Sequence, residues 1–304
     1  MTATARFRLT VPDTFGFRAT ITSHGWADLA PFRITEDWQA LGLTCLLPGD
    51  RAVSVTLRES GAAVAGTMQA AAPLTPAERK RVKATVADCL RLEEDLAPLY
   101  ARLRREPRFR WARRIGAGRL LRSPTVFEDL VKLLCTTNCS WSLTRIMVGN
   151  LVERLGVAAP DGTRAFPTPA AMADRSETFY RSTIRAGYRA PYFRALARRV
   201  ARGELDLEAW RAPTTTVEAV RAALADVKGA GEYVAANLLR LLGRYEALGL
   251  DSACRAMYAR RYPSRRRPTD RAIARRYQPF APWQGLVMWL DFTRDWHLQG
   301  KIPS

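Results

Sequence analysis

The stretch Val217-Glu-Ala-Val-Arg-Ala-Ala-Leu-Ala-Asp226, Val227-Lys-Gly-Ala-Gly231, Glu232-Tyr-Val-Ala-Ala-Asn-Leu-Leu-Arg-Leu-Leu242 is the most informative in the chain. Val220, Ala223 and Leu224 share one face of a short helix over 217–226. Val234, Leu238, Leu241 and Leu242 mark a second helix over 232–242. Between them stand Val227, Lys228, Gly229, Ala230 and Gly231, a tight turn in which both glycines allow positive φ and close backbone approach to a ligand. The second helix starts at once, so its unpaired amides and the positive end of its dipole face outward. Such a hairpin holds a phosphate, with or without a bridging monovalent cation at Val227 and Gly229. It is blind to base sequence, because phosphates carry none. Gly-x-Gly between helices equally fits a plain helical turn.

Asp251 lies twenty residues after Gly231. It follows the apolar loop Tyr245-Glu-Ala-Leu-Gly-Leu250 and opens a new helix, Asp251-Ser-Ala-Cys-Arg-Ala-Met-Tyr258. An ordinary N-cap aspartate fits that position. A carboxylate at a helix start, beside a phosphate-holding hairpin, can also face a sugar.

Outward from this segment the chain divides in two. The first 75 residues read as a β-rich domain: Phe7-Arg-Leu-Thr-Val11 and Arg51-Ala-Val-Ser-Val-Thr-Leu57 alternate as half-buried strands do, punctuated by turn glycines. Thr75-Pro-Ala-Glu78 reads as a helix N-terminus, and a long charged helix is expected to about Arg105. Residues 76–304 read as helix after helix, with the hairpin at 217–242 and the aspartate loop at 243–251. Ser123-Pro-Thr-Val-Phe-Glu128 and Phe166-Pro-Thr-Pro169 mark helix starts, and Thr215-Thr-Val-Glu218 fits a capping box. The fold class is α+β. Ser264-Arg-Arg-Arg-Pro268 is a solvated loop or a phosphate contact.

The chain has 304 residues and a formal charge of +19, from 48 basic and 29 acidic residues. Apolar residues make up 47% and charged residues 25%, an ordinary globular balance that argues against a disordered tail. Lysine occurs only at 80, 83, 132, 228 and 301; the other 43 basic residues are arginine. An unbalanced excess of this size points to a polyanion, above all nucleic acid. No apolar stretch is long enough to span a membrane, and the N-terminus lacks the apolar core of a secretion signal. Five scattered cysteines argue against a disulfide framework, so a reducing cytoplasm is expected. His24 and His297, the only histidines, are read as structural.

The segment from the hairpin to Leu250-Asp251 resembles the helix–hairpin–helix DNA glycosylase superfamily, close to its 3-methyladenine glycosylase II and 8-oxoguanine glycosylase branch. The likeness is in residue type, order and spacing. It extends to Leu120-Leu-Arg-Ser-Pro-Thr-Val-Phe-Glu-Asp-Leu-Val-Lys-Leu-Leu-Cys-Thr-Thr-Asn138, similar to the family helix that ends in Ser/Thr-Asn. Gly187-Tyr-Arg-Ala-Pro-Tyr192 is similar to a Gly-Tyr-Arg segment of the family. Trp283-Gln-Gly-Leu-Val-Met-Trp289 is similar to its final helix, and Ser23-His-Gly-Trp26 to its N-terminal domain. The resemblance implies Asp251 as the catalytic carboxylate, and Asn138 and Arg189 as contacts to DNA at the orphaned base. It implies Trp289 as a wall of the base pocket, with Trp141 and Tyr233 as packing residues at its edge. The implied partner is damaged double-stranded DNA, bound by a monomer.

Two departures narrow this expectation. Family members that also cut the strand use a lysine where this chain has Tyr233, and tyrosine supplies no amine for a Schiff base. Lys228, five residues earlier, is placed to meet phosphate. Only Cys254 follows Asp251, too few thiolates for the iron–sulfur cluster of endonuclease III, and Cys135 with Cys139 make a poor metal site. The expected activity is therefore hydrolysis of an N-glycosidic bond without a cofactor, metal or lyase step, on a flipped purine. An alkylated purine of the 3-methyladenine type is favoured over an 8-oxoguanine type, because a cationic base leaves without acid catalysis. The alternatives are a bifunctional glycosylase and lyase, and a DNA-binding protein without chemistry.

Overall fold

The computed structural model describes residues 2–299. Five antiparallel strands, β1 (Ala3–Thr10), β2 (Arg33–Ile34), β3 (Ala40–Leu47), β4 (Arg51–Glu59) and β5 (Ala63–Ala70), form one sheet in the order β1-β5-β4-β3-β2. Helices follow from Pro76 to Gln299, giving the expected α+β class. Strand β1 alternates as its sequence predicts, with Arg6 and Arg8 outward. Strands β3 and β4 do not: Ala52, Val53, Ser54 and Val55 are all buried. The interior of the sheet is covered on both faces, one cover being the loop whose Thr163 hydroxyl meets that of Thr44 at 2.9 Å.

The segment between β1 and β2, expected to be part of a β-rich domain, instead holds a short helix, Phe17–Ile21, and a 3₁₀ turn, Gly25–Asp28. Both are sealed against the helical part. Trp26 Nε1 donates to Asp129 at 2.7 Å, and the Ser23 hydroxyl accepts the Leu121 amide at 3.0 Å.

Thr75 caps its helix as expected, in a capping box with Glu78, but that helix ends at Cys89, and a separate one runs Ala97–Leu103. The break is Arg91, with φ of +54°. Its guanidinium pairs with Glu94 at 2.6 Å and also donates to the carbonyl of Leu241, at the C-terminal end of the second hairpin helix. A cation there satisfies an otherwise unpaired carbonyl and complements the helix dipole. Within the start marked by Ser123–Glu128, Thr125 caps the helix Val126–Thr136; the other start shifts by one residue, Thr216 rather than Thr215 capping Val217–Ala225. In the latter case Glu218 falls one position short of a capping box, and Thr215 donates to Ala209 instead.

The helix Val126–Thr136 runs through the middle of the fold, with Val126 to Cys135 all buried. It carries a buried ion pair, Lys132 Nζ to Glu128 at 2.6 Å, with the ammonium 4.8 Å from the Phe32 ring centre. Arginine also works inside the fold. Arg119 is 1% exposed and donates to three carbonyls, of Thr14, Arg91 and Glu94. Arg244 likewise holds those of Trp210, Ala212 and Thr215. Part of the arginine excess is therefore structural bracing rather than a surface for phosphate.

Candidate active site and nucleic-acid interface

The two hairpin helices span Val217–Ala225 and Glu232–Leu241. Their turn is closed by the Val227 amide on Leu224 and the Ala230 amide on Val227, both at 2.9 Å. Val227 and Ala230 are buried anchors; Lys228, Gly229 and Gly231 are exposed. The two glycines differ. Gly229 has φ of +89°, and a Cβ there would stand 2.7 Å from the Tyr192 ring. Gly231, expected to exploit positive φ, is the N-cap of the second helix with ordinary extended angles, φ −70° and ψ −173°. A Cβ on it would meet nothing within 4 Å. Neither the turn nor the packing requires glycine at 231; open space lies in front of the helix amides.

The hairpin is tied to the Gly187–Tyr192 segment. Lys228 Nζ lies 5.6 Å from the centre of the Tyr192 ring, and Arg199 donates to the carbonyl of Asp226 at 2.8 Å. Arg189 in that segment is 3% exposed. Its guanidinium stacks on Tyr188 at 4.4 Å and is committed to the hydroxyl and carbonyl of Thr137. It braces the turn at which Asn138, exposed and with φ of +45°, projects from the end of helix Val126–Thr136. The exposed groups on this rim are Asn138 and Tyr188, and Arg189 lies beneath them.

Asp251 caps the helix Ser252–Arg261, its Oδ1 accepting the Cys254 amide at 2.7 Å. The same carboxylate lies on the wall of a cavity of about 340 Å³, at the small end of the range for small-molecule sites. Tyr233, Trp141 and Trp289 line the same cavity. Trp289 Nε1 donates to the Ser23 carbonyl, and Trp141 Nε1 to Asp28, each at 2.8 Å. These two bonds fix the indole planes against the N-terminal segment. Among the described residues the cavity wall includes no lysine, and Tyr233 reaches the Thr136 hydroxyl at 3.3 Å.

The sequence reading missed one side of the cavity. His24, Gly25 and Trp26 enter it from the segment between β1 and β2, and Asn237 and Arg240 enter from the second hairpin helix. His24 is a structural residue and a pocket residue at once: Nε2 lies 2.6 Å from the Leu121 carbonyl, and burial lowers its pKa to about 4, so the ring is neutral. Burial likewise raises the Tyr233 phenol and pushes the Cys254 thiol up to about 12, which leaves neither as an anionic nucleophile at neutral pH. Arg240 is 4% exposed, with its guanidinium 5.5 Å from the centre of a Trp289 ring. Tyr233, Asn237 and Arg240 are spaced at i, i+4 and i+7, a signal present in the sequence.

Among the described residues, no three His, Cys, Asp or Glu side chains gather as a metal site, and no helix is long and apolar enough to cross a membrane.

No protein-family model and no curated protein matches the sequence. Solved structures do match over nearly its full length. MBOgg1 in complex with a low-affinity DNA ligand superposes with a TM-score of 0.73 at 20% identity, covering 99% of this chain and 100% of that one. The Clostridium acetobutylicum 8-oxoguanine glycosylase/lyase gives 0.71 at 17% identity, covering 96% and 98%. The 3-methyladenine DNA glycosylase of Archaeoglobus fulgidus gives 0.73 at 20%, covering 95% and 98%. With its sheet, hairpin and aspartate-capped helix in this arrangement, the chain has the fold of the helix–hairpin–helix DNA glycosylases.

Proposed function

We propose that this protein is a monofunctional DNA N-glycosylase of base-excision repair, releasing a damaged purine flipped out of double-stranded DNA. The observation that carries the reading is the Asp251 carboxylate on the wall of an aromatic cavity, reached by the helix that follows a phosphate-type hairpin. The glycosylase activities named for structures of the same fold support its coarser part, a DNA glycosylase.

Asp251 stabilises positive charge on the sugar as the bond from C1′ to the base breaks, and accepts a proton from the attacking water. The open amides at Gly231 grip a backbone phosphate, with Lys228 beside them. Val227 and Gly229 would hold a bridging monovalent cation through their carbonyls, adding positive charge for the phosphate. Asn138 and Tyr188 meet the duplex where the base has left, on the turn that Arg189 braces. Trp141, Trp289 and Tyr233 enclose the flipped base, whether of the 3-methyladenine or the 8-oxoguanine type. Hydrolysis by water needs no organic cofactor, Cys254 alone after Asp251 gives too few thiolates for an iron–sulfur cluster, and the protein is taken to work as a monomer in the cytoplasm. Tyr233 in place of an amine, with no lysine on the wall among the described residues, supports release of the base without strand cleavage.

The test is a panel of lesion-bearing duplexes incubated with the protein and resolved with and without hot alkali. Breaks that appear only after alkali are expected. Breaks without alkali would establish a lyase, and no breaks on any lesion would leave only DNA binding.

A further inference from the structure

We infer that Arg240 sets the charge specificity of the base pocket, admitting neutral damaged purines and opposing purines that carry a positive charge. The inference rests on the glycosylase reading above and names the substrate class of that site. Arg240 lines the cavity together with Asp251, Tyr233 and Trp289. It forms no ion pair among the described residues: Nη1 donates to Asn237 Oδ1 at 3.1 Å, Nη2 donates to the Leu248 carbonyl at 2.7 Å, and Nε, buried, has no partner. Burial lowers its pKa, while Asp251 is among the groups that favour its cationic form. A guanidinium remains protonated at neutral pH even so.

A buried guanidinium that makes no direct ion pair is costly, and the two oxygens it holds, of Asn237 and Leu248, leave Nε unsatisfied and the charge facing the cavity. Its position beside Trp289 gives the charge a use. A base stacked in this cavity lies within the field of the guanidinium. When a neutral purine leaves, the electron pair of the C1′–N9 bond goes to the base, which departs as an anion and then takes up a proton, while water adds to C1′ and loses a proton to Asp251. Arg240 stabilises that developing negative charge. An N-alkylated purine enters as a cation and leaves neutral, so the same guanidinium opposes its entry and gains nothing at departure. The pocket charge therefore shifts the preference from the alkylated class, favoured on leaving-group grounds, to the neutral class.

The test uses full-length protein and duplexes whose target nucleotide carries a 2′-fluoro group, which blocks bond cleavage and isolates binding. One duplex carries 8-oxoguanine and the other 7-methylguanine, in mildly acidic buffer where the methylated ring is cationic. Wild-type protein is expected to bind the neutral lesion more tightly. Arg240→Gln is expected to shift the affinity ratio toward the cationic lesion by about tenfold or more, and Arg240→Lys to keep the wild-type ratio. Equal affinities, or a preference for the cationic lesion in wild-type protein, overturn the inference whether or not the glutamine variant folds. So does an unchanged ratio in a folded Arg240→Gln, or a lysine variant that behaves like glutamine. Cleavage of the ordinary deoxy duplexes, measured in parallel, decides the glycosylase reading separately.

Discussion

Gly25→Ala probes how tightly the N-terminal segment is built into the pocket. A Cβ at residue 25 would stand 2.4 Å from Cη2 and 2.5 Å from Cζ2 of Trp141. Ordinary carbon contacts begin near ~3.5 Å, so the indole must retreat by about 1 Å. It is not free to do so, because Trp141 Nε1 is bonded to Asp28 at 2.8 Å, and Asp28 also pairs with Arg145 at 3.3 Å. Overpacking of this kind costs about 1–3 kcal/mol. For a chain of this size that lowers Tm by roughly 2–6 °C. A pocket wall displaced by about 1 Å should slow single-turnover base release by roughly 10–100-fold. The control is Trp141→Phe, whose shorter ring vacates the space at the expense of the indole hydrogen bond, about 1 kcal/mol. In that background Gly25→Ala should cost less than about 0.5 kcal/mol, a coupling that a double-mutant cycle in urea reads directly. Equal cost of Gly25→Ala in both backgrounds would refute the packing account.

Four further outcomes follow from the geometry. Gly231→Asn should leave stability within about 0.5 kcal/mol, since asparagine is a good N-cap and the space is open, yet weaken DNA binding about tenfold or more; Gly229→Ala, with φ of +89° and the Tyr192 ring in the way, should lose roughly 1–3 kcal/mol in thermal unfolding. Lys132→Met leaves Glu128 buried and unpaired and should cost about 3–5 kcal/mol, most of it recovered by adding Glu128→Leu, as chemical denaturation would show. His24, at about 4 in the folded protein against 6.5 when unfolded, stays neutral in the fold while the unfolded chain takes up a proton. Its contribution is complete above pH 6.5 and declines as the pH falls toward 4, by at most about 3 kcal/mol, and His24→Gln should flatten that part of the denaturation profile.

The hairpin and Asp251 were legible because their chemistry is local: a turn, a helix start and a fixed spacing lie within 35 residues. The cavity's other wall was not. His24, Gly25 and Trp26 meet Trp141 and Trp289 only through the fold, and turn glycines concealed the short helix and the 3₁₀ turn that position them. Arg240 carried a readable spacing from Tyr233, but one arginine among 43 gives no sign that it is buried. The break after Cys89 was hidden for a related reason. It turns on Arg91 in the left-handed region, bonded to a carbonyl 150 residues away, with no glycine or proline at the break itself; Pro98, in the first turn of the next helix, is the one local signal. Arg189 shows the same ambiguity: the motif position implies a DNA contact but gives no sign that in the free protein the side chain is buried and bonded to Thr137 in the turn that carries Asn138.

The central claim is that Asp251 acts on the sugar and does not merely cap a helix. Asn is itself a good N-cap, so Asp251→Asn keeps the cap while removing the charge. Base release from a substrate duplex, measured in single turnover beside the affinity for the same DNA, separates the two roles. The account predicts a fall in release of at least about 100-fold with affinity changed by less than about threefold. Wild-type release by Asp251→Asn would contradict it.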